Sequence, residues 1–306
     1  MAWTADNLLT NVRLRARIPD GSSVASDAEL LLLADELVAD TFLPLIRGAA
    51  EEYMVAQQDT TITSGTAAYR IPERAQVQGL RDVILVQASS GDGVSMPRVP
   101  LEERAAYTSG PAPGWRAGVG FCVQGDKVIL LPSPTQSGFT LRMRYYQRPS
   151  RLVPAASAAK VTVISATPSF TVDAVPSTWT TSLKYDTIEG TPGFDWLGLD
   201  ATATTASGTT MAFAATPSSE IAIGDYFALA GETPVPQIPA ELHSTLVLAL
   251  VARVHGMVGD AQAEDRALRQ LAGRLEAAKT LLAPRVDGEE IRIINRTSPL
   301  RSGRWR

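Results

Sequence analysis

The chain has 306 residues, of which 45% are hydrophobic and 20% charged, and its formal net charge is −4. This is ordinary globular composition, with enough length for two domains or for one domain with a large insertion. No stretch approaches the roughly 18 uninterrupted apolar residues of a membrane helix, so the composition argues against a membrane protein.

The N-terminal segment predicts a short helix over about residues 4–15 that packs Leu8, Leu9 and Val12. Its early acid, Asp6, replaces the basic start that a secretory signal peptide needs, and no long apolar run follows. We therefore expect no signal peptide.

Residues after Ser26 predict a longer helical region in two pieces, roughly Ser26 to Leu43 and Pro44 to Gln57. Ser26 and Glu29 fit a capping box, in which each side chain satisfies a backbone N–H group left free at the helix start. Pro44 lacks an N–H donor and should break or kink the helix. The apolar positions with approximately helical spacing are Leu30, Leu33, Leu37 and Phe42.

Between Asp59 and Pro149 the pattern changes to alternation among β-forming residues, which predicts a small antiparallel sheet. Gly125 and Asp126 lie between two such runs and predict a hairpin turn. The one cysteine, Cys122, lies in an apolar strand and is expected in the core. It has no partner for an internal disulfide, which suits a reducing cytoplasm and leaves nothing for a thiolate metal cluster.

From about residue 155 to 235 the composition shifts to Thr, Ser, Ala and Gly with short β-like runs, which predicts an inserted β-rich module. Within it, Asp195 and Asp200 lie in the segment GTPGFDWLGLD (190–200), which also contains Phe194 and Trp196. Acids beside aromatic rings line some sugar or calcium sites. The alternative favoured here is that Phe194 and Trp196 anchor a loop.

Two long helices should follow, turning near Gly259 and Asp260 and ending at Pro284. Their expected apolar stripes are Leu242, Leu246, Ala249 and Leu250 on the first, and Leu268, Leu271, Leu275 and Leu282 on the second.

Together these elements predict an α+β fold. Its parts are a helical bundle of N-terminal helices plus a long C-terminal helical hairpin, a small antiparallel sheet, the inserted β module and an extended C-terminal tail. The predicted division is a core of helices and antiparallel sheet (1–154 and 236–284), the inserted module (155–235) and a C-terminal arm (285–306).

The sequence contains few candidates for catalytic residues. The two histidines, His243 and His255, lie about 120° apart around one helix and cannot share a metal there; they are expected on a partly exposed face. The adjacent acid pairs 51–52, 102–103 and 289–290 do not converge on one atom, as a glycosidase requires, and are expected on solvated faces. Phosphate-binding loops and nucleophile motifs are missing. The sequence predicts a protein that is not an enzyme, with no cofactor and no metal site.

The last sixteen residues contain five arginines and no acid, so the rest of the chain carries −4 − 5 = −9. The sequence of this segment allows three interpretations. It is a solvated tail, an arm that binds nucleic acid and displaces counterions from phosphate, or an arm that docks into a partner protein. The acidic body opposes the second. Alternating isoleucines suit addition to a protein surface, and Trp305 resembles an interface anchor. The candidate docking residues are Ile291, Arg292, Ile293, Ile294, Asn295, Arg296, Arg301, Arg304, Trp305 and Arg306.

The segments YRIPERA (69–75), LRDVILV, GDKVILLPSP and LRMRYYQRPSRLV resemble the head-to-tail adaptor (head-completion) proteins of tailed bacteriophages. In the second half, IPAELHSTLVLALVARV, the Gly259-Asp260 pair, PRVDGE and Asn295-Arg296 resemble them too. The resemblance covers about 59–153 and 238–296, and the N-terminal helices more loosely. The inserted module has no counterpart in compact members of that family.

The resemblance implies a structural virion protein of the neck, made in the host cytoplasm. Such adaptors form a homo-oligomeric ring, typically a dodecamer, beneath the portal ring; they extend the DNA channel toward a further tail component, and their C-terminal segments grip the portal. Passing genomic DNA would meet an acidic wall without specific contacts. The alternatives are a tail-associated peptidoglycan hydrolase and a DNA-binding protein that uses the basic arm.

Overall fold

The computed structural model describes residues 3–18, 25–87, 90–104, 120–166, 168–190 and 196–282. The C-terminal stretch 283–306, and with it every candidate docking residue, lies outside the described residues.

The N-terminal helices begin where the sequence predicts. Helix α1 spans Ala5–Ala16 and buries Leu8, Leu9 and Val12. Helix α2 spans Asp27–Leu37, and both hydrogen bonds of its capping box are present. These start signals are local, so they could be identified from the sequence.

The prediction that helix continues to Gln57 is wrong. Helix α2 passes into a π-helical turn, Val38–Phe42, and helix α3 then spans only Leu43–Ala49. Pro44 lies in the first turn of α3, directly after the π-helical turn. The residues from Val55 onward form a strand instead, because they pair along their whole length with a later strand.

The described part of the following region, 55–87, 90–104 and 120–147, forms seven strands: β1 Val55–Thr61, β2 Ala68–Arg70, β3 Ala75–Gln87, β4 Gly93–Ser95, β5 Gly120–Gln124, β6 Lys127–Leu131 and β7 Phe139–Gln147. They form two antiparallel sheets, β1-β7-β3-β4 and β2-β6-β5, where the sequence predicts one. Alternating side chains from both sheets, among them Leu85, Leu141 and Phe121, share one hydrophobic cluster. Gly125 forms the predicted hairpin turn with φ of +61°. Cys122 is a buried free cysteine, as expected.

A closed six-stranded barrel follows, in the order β10-β13-β12-β11-β14-β9. Its strands are β9 Ala159–Ala166, β10 Ser169–Val172, β11 Lys184–Ile188, β12 Trp196–Ser207, β13 Thr210–Phe213 and β14 Tyr226–Leu229. Packed aromatic rings fill the interior, with the Phe213 and Phe227 centroids 4.9 Å apart.

The chain enters and leaves the barrel through two adjacent strands. Strand β8 (Arg151–Leu152) precedes the barrel, and strand β15 (Glu232–Thr233) follows it and pairs with β8 in parallel. The barrel lies within the range predicted for the inserted module, although the division of the chain into separate units stays a prediction.

The last described elements are helices α4 (His243–Val258) and α5 (Ala261–Leu282). Gly259 ends α4 in the left-handed region, with φ of +81°, at the predicted turn. Helix α4 is buried on most sides, between α1 and α2 on the one hand and α5 on the other. The stripe predicted for α5 is wrong at Leu268, which is 46% exposed; Ala267 is buried instead.

The mixture of helices and sheets is thus confirmed, whereas the description of the helices as a bundle with a long hairpin stays a prediction. No helix in the described part of the chain combines the length and the apolar character that a membrane span requires.

Candidate interaction surfaces

The YRIPERA segment forms the junction between the two sheets. Tyr69 lies in β2, and its hydroxyl accepts a hydrogen bond from the Thr63 N–H at 3.1 Å. Arg70 contacts Glu73 and Asp126 through ion pairs of 3.0 and 3.4 Å. The side chains of these ion pairs are well exposed, so the pairs contribute little to stability.

Arg74 carries the important contact of this segment, because it ties the sheets to the barrel. Its guanidinium donates to Asp186 of β11 at 2.6 Å and to Asp200 of β12 at 3.0 Å. Burial alone would lower the pKa of Arg74, but the hydrogen bond to Asp186 and the charges of both acids outweigh it, so the pKa is raised. Arg74 therefore stays protonated.

Asp186 is fully buried and is held from three sides. Besides Arg74, it accepts backbone N–H groups from Asp200 at 3.0 Å and Gly231 at 2.9 Å. Asp200 itself lies in the left-handed region, with φ of 56°. We refer to Arg74, Asp186 and Asp200 as the arginine junction; it satisfies a buried carboxylate that would otherwise be costly.

Asp200 is part of the arginine junction and not of the sugar or calcium site that was one alternative from the sequence. Its carboxylate pairs with Arg74, and the described residues contain no group of three or more potential metal ligands. Asp195 and Phe194 lie outside the described residues. Trp196 packs against two hydrophobic clusters and its indole N–H donates to Ser150 at 3.4 Å, so it anchors its surroundings as expected.

The two histidines of α4 lie in different surroundings. The expectation of a partly exposed face is wrong for His243, which is 1% exposed. Its Nδ1 accepts a hydrogen bond from the backbone N–H of Trp3 at 3.1 Å. The imidazole proton therefore lies on Nε2, which donates to the Ile238 carbonyl, also at 3.1 Å. Burial lowers the pKa of this imidazole. His255, on the same helix, is half-buried as expected.

The described acid pairs lie on the surface and do not converge. Glu51 accepts a long hydrogen bond of 3.4 Å from the Tyr146 hydroxyl, while Glu52 pairs with Arg81 at 3.0 Å. Glu102 and Glu103 lie in an exposed 3-10 turn. The third pair, 289–290, lies outside the described residues.

Asp35 connects the N-terminal helices to the path into the barrel. Its carboxylate on α2 accepts the Leu152 N–H of β8 at 2.9 Å. Burial raises the pKa of Asp35 to about 6, although that hydrogen bond and the positive charge of Arg151 both lower it. Two acids, Asp35 and Asp186, therefore fix the barrel entrance.

Strand β1 lies at one edge of the four-stranded sheet, and this edge is open among the described residues, since no other described strand pairs with its outer side. Met54 and Ile62 flank β1, and each forms a backbone hydrogen bond with β7. The Gln147 N–H donates to the Met54 carbonyl at 2.9 Å, and the Ile62 N–H donates to the Phe139 carbonyl at 2.8 Å. Hydrogen-bonded pairs alternate along an antiparallel ladder. The backbone groups of Gln57, Asp59 and Thr61 therefore point away from β7, toward the open side.

A groove of about 400 Å³ borders this edge, between β1 and the start of β12. It is lined by residues 55–57, Gln147 and residues 196–199. Gln147 is 1% exposed, yet neither atom of its side-chain amide has a hydrogen-bond partner among the described residues. The groove thus combines an open backbone edge with a buried amide that can donate and accept.

The arginine junction, the contact of Asp35 and the groove beside β1 are not predicted from the sequence. A signal existed for Asp186, because an acid is depleted in strands and this one lies inside the β-forming run KYDTI. Nothing local marks Arg74 as its partner, 112 residues away.

A family model described as SU10 adaptor protein matches residues 3–184, which is more than half of the chain. The match extends from α1 into the barrel and includes Arg74, although it does not reach α4 and α5. No curated protein sequence matches the chain.

Proposed function

The chain belongs to the SU10 adaptor protein family, a family of phage head-to-tail adaptors, and we propose that it forms a ring beneath the portal that joins head to tail. Membership makes it a structural component of the virion. The family match is the single observation that carries the proposal.

In this proposal the subunits form a dodecameric ring in the phage neck, with the helices as a bundle in the ring wall. The ring extends the DNA channel, and the genome passes without specific contacts. The net charge of −9 outside the last sixteen residues supports this, because a wall of the same sign as DNA does not hold phosphates. The chain would be made in the host cytoplasm and act without catalysis or cofactor.

The barrel is proposed as a projecting module, either a platform for the next tail component or a contact between neighbouring subunits. The pairing of β8 with β15 supports the view that it is an insertion, since the chain returns to the core beside the point at which it left. The arginine junction gives this module a fixed orientation.

The C-terminal arm is proposed to dock on the portal, with Arg292, Arg296, Arg301 and Arg304 pairing with acids there. Arginine suits this role because its planar guanidinium binds carboxylates through two parallel hydrogen bonds. Repetition around the ring then adds avidity, since each docked copy raises the effective concentration of its neighbours.

Mixing the full-length chain with purified portal rings tests this function. We expect a complex of defined mass by native mass measurement and a second ring by electron microscopy. Replacing the four arm arginines with alanine should abolish the complex. A matched control replaces Arg266 and Arg269, which are exposed on α5, and should leave binding unchanged. If the chain stays a free monomer under all conditions, the proposal fails.

The same preparations test the DNA-binding alternative. That function predicts affinity for duplex DNA that falls steeply with salt concentration and disappears in the arm variant. The adaptor function predicts portal binding in samples that contain no DNA.

A further inference from the structure

We propose that the open edge of β1 is a strand-addition site, and that it receives residues 291–296 of a neighbouring copy of this chain. The inference rests on the ring of the proposed function. It assigns residues 291–296, with Arg292 and Arg296, to contacts between subunits, and so narrows the portal contacts of the proposed function to Arg301, Arg304 and the terminal residues.

The backbone of β1 is prepared for another strand. Gln57, Asp59 and Thr61 present N–H and C=O groups toward the open side, at the spacing that an added strand requires. Edge strands of soluble proteins are usually protected by lysine, proline, a bulge or short length. Strand β1 has seven residues, a continuous register and neither lysine nor proline.

The opposite edge of the same sheet shows the usual protection. Strand β4 has only three residues, Gly93–Ser95, so it offers little backbone to a partner. The charge on β1 gives less protection, because Asp59 is neutralised by Arg142 through two hydrogen bonds of 2.9 Å. The two edges therefore differ, and only β1 has the length for stable addition.

The groove beside β1 supplies a second, independent observation. Gln147 lines it, is almost fully buried, and has both amide atoms unmatched among the described residues. Leaving such groups unsatisfied costs about 1–3 kcal/mol each. A peptide group is the natural partner, since its C=O accepts from Nε2 and its N–H donates to Oε1 of the same side chain.

The sequence of the arm fits this site. Residues 291–296 contain three isoleucines, which favour extended backbone, and no proline. Arg292 and Arg296 complement the acids exposed just before β1, which are Glu51 and Glu52, although Glu52 also pairs with Arg81. Eight residues (283–290) lie between the end of α5 at Leu282 and Ile291, and the nine steps from Leu282 to Ile291 span about 30 Å when extended.

A neighbouring copy is the proposed donor because of ring geometry. In a head-to-tail ring, each subunit presents one β1 edge and one arm, so every edge is filled and the assembly closes. An arm that filled its own edge would add nothing to the contact between subunits.

Cysteine cross-linking of full-length chains tests the proposal. The native Cys122 is buried and does not compete. Gln57→Cys and Ile293→Cys chains are prepared separately, mixed with portal rings and oxidised, so that a mixed disulfide joins different copies. We expect the cross-linked dimer in this mixture and not in a control that pairs Ile293→Cys with Thr202→Cys, an exposed barrel position. Absence of the dimer in portal-bound rings overturns the inference.

Two further results distinguish the alternatives. The double variant Gln57→Cys/Ile293→Cys should give a ladder of oligomers; a closed monomer only would show that each arm fills its own edge and would overturn the proposal. Gln147→Leu should weaken cross-linking about tenfold without loss of subunit stability, and an equal fall in stability would contradict a binding role. Portal binding without cross-linking refutes this inference alone, whereas failure of all portal binding refutes the proposed function.

Discussion

The arginine junction gives the sharpest stability prediction. Arg74→Met keeps much of the side-chain bulk but leaves the Asp186 carboxylate, which is 0% exposed, without its cation. Removing one partner of a buried pair costs about 3–5 kcal/mol. Asp186 keeps two backbone N–H donors, each with a net contribution of about 1 kcal/mol. We therefore expect a loss of about 2–4 kcal/mol in the free energy of unfolding.

Urea unfolding followed by tryptophan fluorescence measures this loss, because Trp179 lies in the barrel core and Trp196 begins β12, the strand that contains Asp200. The matched control is Arg70→Met. It removes an arginine four residues away whose side chain is 65% exposed in its ion pairs, and it should cost less than about 0.5 kcal/mol.

A double-mutant cycle isolates the ion pair itself. In the background of Asp186→Asn, where no buried charge remains to be compensated, Arg74→Met should cost at least about 1 kcal/mol less than in the natural chain. Equal losses in both backgrounds, or equal losses for Arg70→Met and Arg74→Met, would refute the view that the buried charge drives the effect.

Two other predictions concern the helices. The pKa of Asp35 is about 6 in the folded state, above the ordinary 3.8, so the folded state binds this proton more tightly than the unfolded chain does. The contribution of Asp35 to the free energy of unfolding is therefore greatest below about pH 4 and is lost as the pH rises to about 6. Asp35→Asn should remove this pH dependence and raise stability at pH 7 by about 1–2 kcal/mol after discounting for partial exposure, which urea unfolding at pH 4, 5, 6 and 7 measures; an unchanged slope contradicts it. Ser26→Ala removes the cap of α2 and should cost about 1 kcal/mol by thermal unfolding, while Ser182→Ala, at an exposed position in the barrel, should cost less than half of that.

The sequence predicts helix starts and turns well because their causes are local. Ser26 with Glu29 and Gly259 each act within a few residues of themselves. It fails where long-range pairing decides. Residues 55–57 follow a helical pattern, yet they form a strand because β7, about ninety residues later, provides the partner.

The interaction surfaces were harder to predict for the same reason. Asp186 and Arg74 are separated by 112 residues, and only the closed barrel brings them together. The open edge of β1 depends on the order of strands in the sheet, which alternation alone does not determine. The basic arm, by contrast, is visible in the sequence as a run of arginines without acids.

The barrel is held to the sheets by more than its two connecting chains. Strands β8 and β15 pair at its entrance, Asp35 fixes β8 to the helices, and Arg74 reaches Asp186 on a barrel strand. If the barrel meets the tail, as proposed, a force applied there passes to the sheets through a buried ion pair as well as through the backbone. Weakening Arg74 should then loosen the barrel while the portal-binding arm still functions, so the two ends of the adaptor fail separately.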